Sequence, residues 1–234
     1  MALRRDARLH GSTGSAYWAG ADATTKLELA GAHGVALAEL HEAAFEVPGP
    51  YDETQQMFVA VEDFGVWTLG QIEALRTRAR GTTPLAVDAE RYIDMLIESC
   101  SPAFTEPFVP VLVHHDFSLA NTSYERIDGQ LRATGVFDLG VAHIGDGEED
   151  LVRFRFRRKR EQREAFVATY SARHPFRPGA GDRIALHALA DLLFIWEVSK
   201  RVTNWFGDAS FVDTAEAVVD TVRMIDTNTR PRPS

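Results

Sequence analysis

Apolar positions recur at helical spacing in the first hundred residues of this 234-residue chain and again after residue 148, with a strand-like stretch between. Leu27, Leu29, Val35, Leu37, Leu40 and Phe45 predict a helix over Leu27 to Glu46 with one buried face, ended by Pro48 and Pro50. Two more helices are expected, Val66 to Arg80, stopped by Gly81, and Pro84 to Cys100, the latter with Leu85, Val87, Tyr92, Ile93, Leu96 and Ile97 on its apolar face. Residues 51–66 read as irregular, with Met57, Phe58, Val59 and Phe64 packing on the core. Ser101 to Pro110 holds three prolines and reads as a connector. The unbroken apolar run Val111-Leu112-Val113 then predicts a short buried strand, and Thr134 to Phe137 a second. Between them Asp128-Gly129 is a turn of the kind that closes a hairpin. Further helices are expected over Glu148 to Arg157, Arg160 to Ala172, Ile184 to Trp205 and Val212 to Ile225, with a loop at Pro175 to Gly181. The fold class that follows is α+β, mainly α, with a small hairpin at its centre.

Composition narrows the function more than the fold. Hydrophobic content of 45% and charged content of 25% are those of a globular protein that can bury a core. A formal net charge of -9 argues against a general nucleic-acid or membrane-surface binder. No window approaches the ~20 apolar residues of a transmembrane helix, and Arg4 and Arg5 have no apolar stretch behind them to make a signal peptide. The single Cys100 excludes an internal disulfide and a multi-cysteine zinc site, and fits a reducing cytoplasm.

The candidate chemistry sits in Val111 to Gly140. His114, His115 and Asp116 follow the first strand, Asn121 comes five positions after the aspartate, and Asp138 follows the second strand ahead of Leu139-Gly140. Two acids and an amide at strand ends, brought together by a hairpin, can hold Mg²⁺, which prefers a few hard oxygen ligands and leaves its other positions to water and phosphate. Singly, each residue has a plainer use: Asp116 capping a turn, Asn121 taking left-handed backbone in one.

Together they carry a resemblance. His114-x-Asp116-x-x-x-x-Asn121 resembles the catalytic loop of protein kinases and, more closely, of the aminoglycoside phosphotransferase and choline kinase group. Asp138-Leu139-Gly140 resembles the metal-binding Asp-Phe-Gly element. Ile144-Gly145-Asp146 and Asp150-Leu151 are similar to the group's I-G-D-P-x-x-D-L continuation, with Gly147 in place of the proline, and Leu37-Ala38-Glu39-Leu40-His41 to its L-A-x-L-H helix end. The match runs from about Leu27 to the C-terminus. It implies a kinase-like C-terminal lobe at 27–227, after a short segment at 1–26 and before a disordered tail at 228–234.

By the same resemblance, Asp116 is the base that receives the proton of an acceptor hydroxyl, on a small molecule or a peptide. Asn121 and Asp138 hold Mg²⁺ against the phosphates of ATP or GTP, and His114 ties the catalytic loop to its surroundings. His115 stands where the group has Gly and protein kinases have Arg, and its role is open. Asp150 is expected to anchor the catalytic loop rather than touch metal, and helix capping is the plain use of Asp146 and Asp150. Lys26, with Gly11-Ser12-Thr13-Gly14-Ser15, is the candidate for gripping phosphates, although neither spacing nor strand context matches that element.

The 26 residues ahead of the matched helix cannot build the group's N-terminal lobe, so that lobe is expected to be absent or vestigial. A second chain or a second copy would then complete the nucleotide cleft. The rivals are a minimal kinase working alone, a non-catalytic scaffold and, more distantly, a metal-dependent hydrolase. The run Arg153 to Arg160 reads either as a solvated helix face with Phe154 and Phe156 turned inward, or as a patch for an anionic substrate, acidic peptide or partner. As a patch it would disfavour polycationic aminoglycosides. His10, His33, His41, His143, His174 and His187 show no metal-like spacing, and packing or exposure is expected of them.

Overall fold

The computed structural model describes residues 11–156, 158–199, 206 and 209–223. The first ten residues of the short segment expected at 1–26, and the tail at 228–234, therefore lie outside the described residues, as do 200–205 and 224–227. Two side-chain caps set the first helices. Thr13 Oγ1 accepts from Ala16 N at 3.3 Å, ending strand β1 (Ser12–Thr13) and starting α1 (Gly14–Gly20). Asp22 Oδ1 accepts from Thr25 N at 2.8 Å and starts α2 (Ala23–Leu40).

Helix α2 begins four residues before Leu27 and stops well short of Glu46. The reason is tertiary. Beyond His41 the chain is extended, Phe45 N donates to Pro110 O at 2.8 Å, and Ala44 bridges Val111. Residues read as irregular instead form a small antiparallel hairpin, β2 (Gly49–Asp52) with β3 (Met57–Phe58). Its turn is organised by Asp52, whose carboxylate accepts from Thr54 N at 2.8 Å and Gln55 N at 2.9 Å. Helices α3 (Phe64–Thr82) and α4 (Val87–Cys100) follow where periodicity places them.

The central strands divide between two sheets. Strand β4 (Val111–Val113) does not join the Asp128-Gly129 hairpin. It pairs with β7 (His143–Gly145) in a four-stranded antiparallel sheet of order β3-β2-β7-β4. The hairpin is β5 (Thr122–Ile127) with β6 (Gln130–Val136), longer than the four residues expected, and β1 adds a third strand beside β5. Its two-residue turn has positive φ at Asp128 (50°) and Gly129 (81°), the geometry that matches strand twist in tight hairpins.

After a 3₁₀ turn at Gly147–Asp150 come α5 (Leu151–Arg155), α6 (Arg160–Ser171), α7 (Ala180–Ser199) and α8 (Phe211–Arg223). Helix α7 is the spine. Ala180, Ile184, Ala185, Leu186, Ala188, Leu189, Leu192 and Leu193 are all buried, so it is apolar around most of its girth and takes α3, α4 and α8 against it. Helix α2 packs on α6, and Thr169 Oγ1 donates across the contact to Gly31 O at 2.9 Å. No helix among the described residues is long and apolar enough to cross a membrane.

Gly147, which replaces the proline of the related pattern, has a steric cause. A Cβ there would stand 2.6 Å from His41 Nδ1 and 3.0 Å from Val111 Cγ2. The His41 ring cannot step aside, because Nδ1 bonds Tyr170 Oη at 3.0 Å and Nε2 faces Asp150 Oδ2 at 3.1 Å. Gly147→Ala is therefore expected to lower stability by about 1–3 kcal/mol, as overpacking does. The urea midpoint reads this, with Gly70→Ala, which meets nothing within 4 Å, as the control that does not fall.

Candidate active site

One buried carboxylate holds the loop that follows β4. Asp150 is 1% exposed, and its oxygens accept from His114 N and His115 N, both at 2.7 Å, while His41 Nε2 lies 3.1 Å from Oδ2. It thus anchors the loop through backbone amides, and it does so from the start of α5. Asp146 is equally committed: Oδ1 accepts from Glu148 N at 3.1 Å and Oδ2 takes the Arg177 guanidinium. Glu148 in turn receives the fully buried Arg183 through two bonds, Nε to Oε2 at 2.8 Å and Nη2 to Oε1 at 3.1 Å. Burial and the neighbouring Asp146 push the Glu148 carboxyl up, against the pull of the two arginines. These three acids of the Asp146–Asp150 segment are structural.

His114 is fully buried and its tautomer follows from its partners. Asp116 N–H points at Nδ1 (3.3 Å), so the ring proton sits on Nε2 and donates to Phe137 O at 2.9 Å. Phe137 N–H donates on its other side to Asn121 O at 3.1 Å. The residue just ahead of Asp138 is therefore clamped between His114 and Asn121. Asn121 spends its amide nitrogen twice, on Asp116 O and on Asp116 Oδ2, each at 3.0 Å. That orientation leaves the amide oxygen as its ligand atom. Asp138 follows the clamp with φ 65°, a left-handed conformation that aspartate tolerates better than most residues, and its side chain is exposed.

Helix α5 adds Arg153 to the site, where sequence reading placed only a charged run. Its Nε lies 2.8 Å from Asp191 Oδ2 of α7, and Nη1 lies 3.8 Å from Asp116 Oδ1. Burial pushes the Asp191 carboxyl up to about 6 although Arg153 draws it the other way. Part of the run Arg153 to Arg160 is committed to the fold. Arg155 is buried and donates to Val222 O (3.2 Å) and Thr221 O (3.0 Å), and Arg158 covers the Trp18 ring at 4.2 Å. Arg160 pairs with Glu164 at 2.7 Å. Arg155 and Arg158 thus serve the fold, whereas Lys159 and Arg160 stay exposed.

Lys26 stands apart from this set. Its ammonium lies 5.8 Å from the Trp18 ring centroid, and among the described residues it makes no ion pair with Asp116 or Asp138. The histidines divide. His33 is core, stacked on Phe117 at 4.3 Å, and burial drives its pKa down to about 3. His41 braces Asp150, a role that no pairwise spacing announces. His115, His143 and Glu149 converge, although His143 showed no metal-like spacing with any other histidine.

A mainly helical body with small antiparallel sheets, its Asp-bearing loop hung beside a hairpin that delivers a second aspartate, defines a kinase-like phosphotransferase fold. The chain belongs to the phosphotransferase enzyme family, which it matches over residues 7–184. The match begins well ahead of Leu27, where the motif resemblance starts, and ends inside α7. Among curated proteins no significant match is found. Among solved structures it is similar to aminoglycoside phosphotransferase APH(4)-Ia in complex with ADP and hygromycin B, with TM-score 0.64 and 20% identity, covering 92% of this chain and 70% of that one. It is also similar to aminoglycoside 2'-phosphotransferase-IIIa with GDP, at TM-score 0.56 and 16% identity, covering 94% and 69%. A protein described as a fructosamine-3-kinase of Thermobifida fusca matches at TM-score 0.60 and 20% identity, over 83% and 66%. At these identities the likeness establishes the fold.

Proposed function

We propose that this protein transfers the γ-phosphoryl group of ATP or GTP to a hydroxyl of a small molecule or peptide. The observation that supports this reading is the clamp on Phe137, which ties the backbone just ahead of Asp138 to His114 and to the backbone of Asn121, while the Asn121 side chain bonds Asp116. The donor set fits Mg²⁺: one amide oxygen that the two bonds through its nitrogen leave uncommitted to Asp116, and one exposed carboxylate. Mg²⁺ held there supplies neutralisation of phosphate charge.

The chain's own groups do the rest. Asp116, part-buried and steadied by Asn121, orients the acceptor hydroxyl and receives its proton as the phosphoryl group leaves. Arg153 keeps that carboxylate aligned from 3.8 Å, sharing its charge with Asp191. His114 holds loop and hairpin at fixed separation, which is a positioning role. Lys26 remains the proposed contact to phosphate from the N-terminal side. A second chain, or a second copy, completing the nucleotide cleft is part of this reading, and exposed Leu139 (43%) and Val141 (57%) beside Asp138 offer such a partner an apolar edge.

The test is transfer of labelled γ-phosphate from ATP or GTP to a panel of hydroxyl acceptors, an aminoglycoside, a ketosamine and a serine peptide, each with and without Mg²⁺. Mg²⁺-dependent labelling of one class is expected. If no acceptor is labelled and neither nucleotide raises the melting temperature with Mg²⁺ present, the chain is a scaffold of kinase fold.

A further inference from the structure

At His115, one residue before Asp116, lies a second cluster to which the proposed phosphoryl transfer assigns no role. His115 follows β4 by two residues, His143 opens β7 opposite Val113, and Glu149 belongs to the 3₁₀ turn before α5. One ligand atom from each lies within 4.8 Å of the others. His115 Nδ1 is 2.5 Å from Glu149 Oε1, and His143 Nε2 is 3.3 Å from Glu149 Oε2. We infer that His115, His143 and Glu149 bind one first-row transition-metal ion of the Zn²⁺ type, at a site separate from that of Mg²⁺.

Three observations carry it. First, two imidazole nitrogens and a carboxylate oxygen are the donors Zn²⁺ takes, whereas Mg²⁺ takes oxygen. Tetrahedral ligands about 2.0–2.2 Å from the ion stand roughly 3.4 Å from one another, close to the 3.3 Å His143–Glu149 separation, while the 2.5 Å His115–Glu149 bond has to open to admit the ion. Second, His143 is 6% exposed and its Nε2 reaches only Glu149 Oε2, at 3.3 Å and without the alignment of a good hydrogen bond. A buried imidazole nitrogen left without a good bond is a cost that a bound ion removes. Third, the ring's place is kept open for it: a Cβ at residue 145 would fall 2.8 Å from His143 Nε2 and 2.9 Å from Phe64 Cζ, and residue 145 is glycine.

The surroundings suit an ion as well. Phe64 and Trp67 wall the His143 ring at 6.4 and 5.3 Å. His187 Nδ1 stands 3.6 Å from Glu149 Oε2, placed to orient that carboxylate or to add a fourth ligand. The His115 side chain is 39% exposed, which gives an entry path and an open position for water. Without metal, His115 carries a proton that Nδ1 donates to the ionised Glu149 carboxylate. Burial works against the charge on His115, yet the Glu149 bond and charge outweigh it and hold its pKa up to about 9, and an entering ion displaces that proton. His115 has φ 66° and precedes Asp116, so the ion would fasten the catalytic loop to the 3₁₀ turn.

The test uses the full chain, stripped with chelator and titrated with Zn²⁺ in excess Mg²⁺, by calorimetry, with Co²⁺ absorption as a second readout. One equivalent is expected to bind, with visible Co²⁺ bands of a low-coordinate N/O site. His115→Ala and Glu149→Gln should each weaken binding by at least about tenfold, with melting curves confirming folded protein. Asp138→Asn should leave the zinc affinity as it is. No stoichiometric binding, or binding lost in Asp138→Asn and kept in His115→Ala, overturns the site and leaves a hydrogen-bonded His–Glu cluster. Because the readout is binding, it stands or falls apart from phosphoryl transfer.

Discussion

Asp116→Asn is expected to slow phosphoryl transfer by about 10²–10⁴-fold, the range that removal of a general base produces. The change is nearly isosteric, and the surroundings say that little else should move. Asn121 Nδ2 keeps its bond to the backbone carbonyl of residue 116 and can still meet an amide oxygen in place of Oδ2. The Asp116 side chain is 41% exposed, and its link to Arg153 is long at 3.8 Å, so stability should stay within about 0.5 kcal/mol. What the variant loses is the ability to take a proton. Steady-state transfer to whichever acceptor the panel identifies, measured beside the melting temperature, separates the two quantities. A variant that transfers at the wild-type rate would falsify the role given to Asp116.

The second large effect is on folding. Asp150→Ala removes the acceptor for two backbone amides and the partner of a buried histidine at once. Each stranded buried donor costs roughly 1–3 kcal/mol, and breaking a charge-assisted buried network costs about 3–5 kcal/mol in all. A loss of that size should appear as a large fall in urea midpoint with little change in slope. Asp150→Asn keeps one acceptor oxygen, introduces a donor beside two amide N–H groups, and should cost less than Ala. A loss under about 1 kcal/mol for Asp150→Ala would mean that the loop holds itself. In that case the 2.7 Å bonds are not what positions Asp116.

Local signals made much of this protein legible. Apolar periodicity located α3, α4, α6 and α8 within a few residues, because each helix shows one continuous face to the core. The Asp128-Gly129 pair announced the β5–β6 hairpin for the same local reason, since both residues must take positive φ there. The spacing of His114, Asp116, Asn121 and Asp138 pointed to one constellation, and the backbone of Phe137, just ahead of Asp138, bonds His114 and the backbone of Asn121.

Other features had no local signal. Where α2 ends is set by contacts of His41, Ala44 and Phe45 with residues more than 60 positions away. The β2–β3 hairpin escaped notice because strands of four and two residues are too short to show alternation. The charge run at 153–160 looked like a surface because sequence reports charge and not direction. Arg153 and Arg155 turn inward only because Asp191 and the end of α8 wait there.

By itself the sequence determined the class of element along most of the chain and the hairpin turn, and it carried the resemblance to the family. The first two follow from backbone preference and from periodic burial, which act over a few residues. Only the tertiary structure decided that β4 leaves the hairpin for β7, that Asp150 spends its carboxylate on two amides, and that His115, His143 and Glu149 meet. Such convergence depends on how separate elements cross, and the forces that set it, burial and the pairing of buried polar groups, act between residues that sequence order keeps apart.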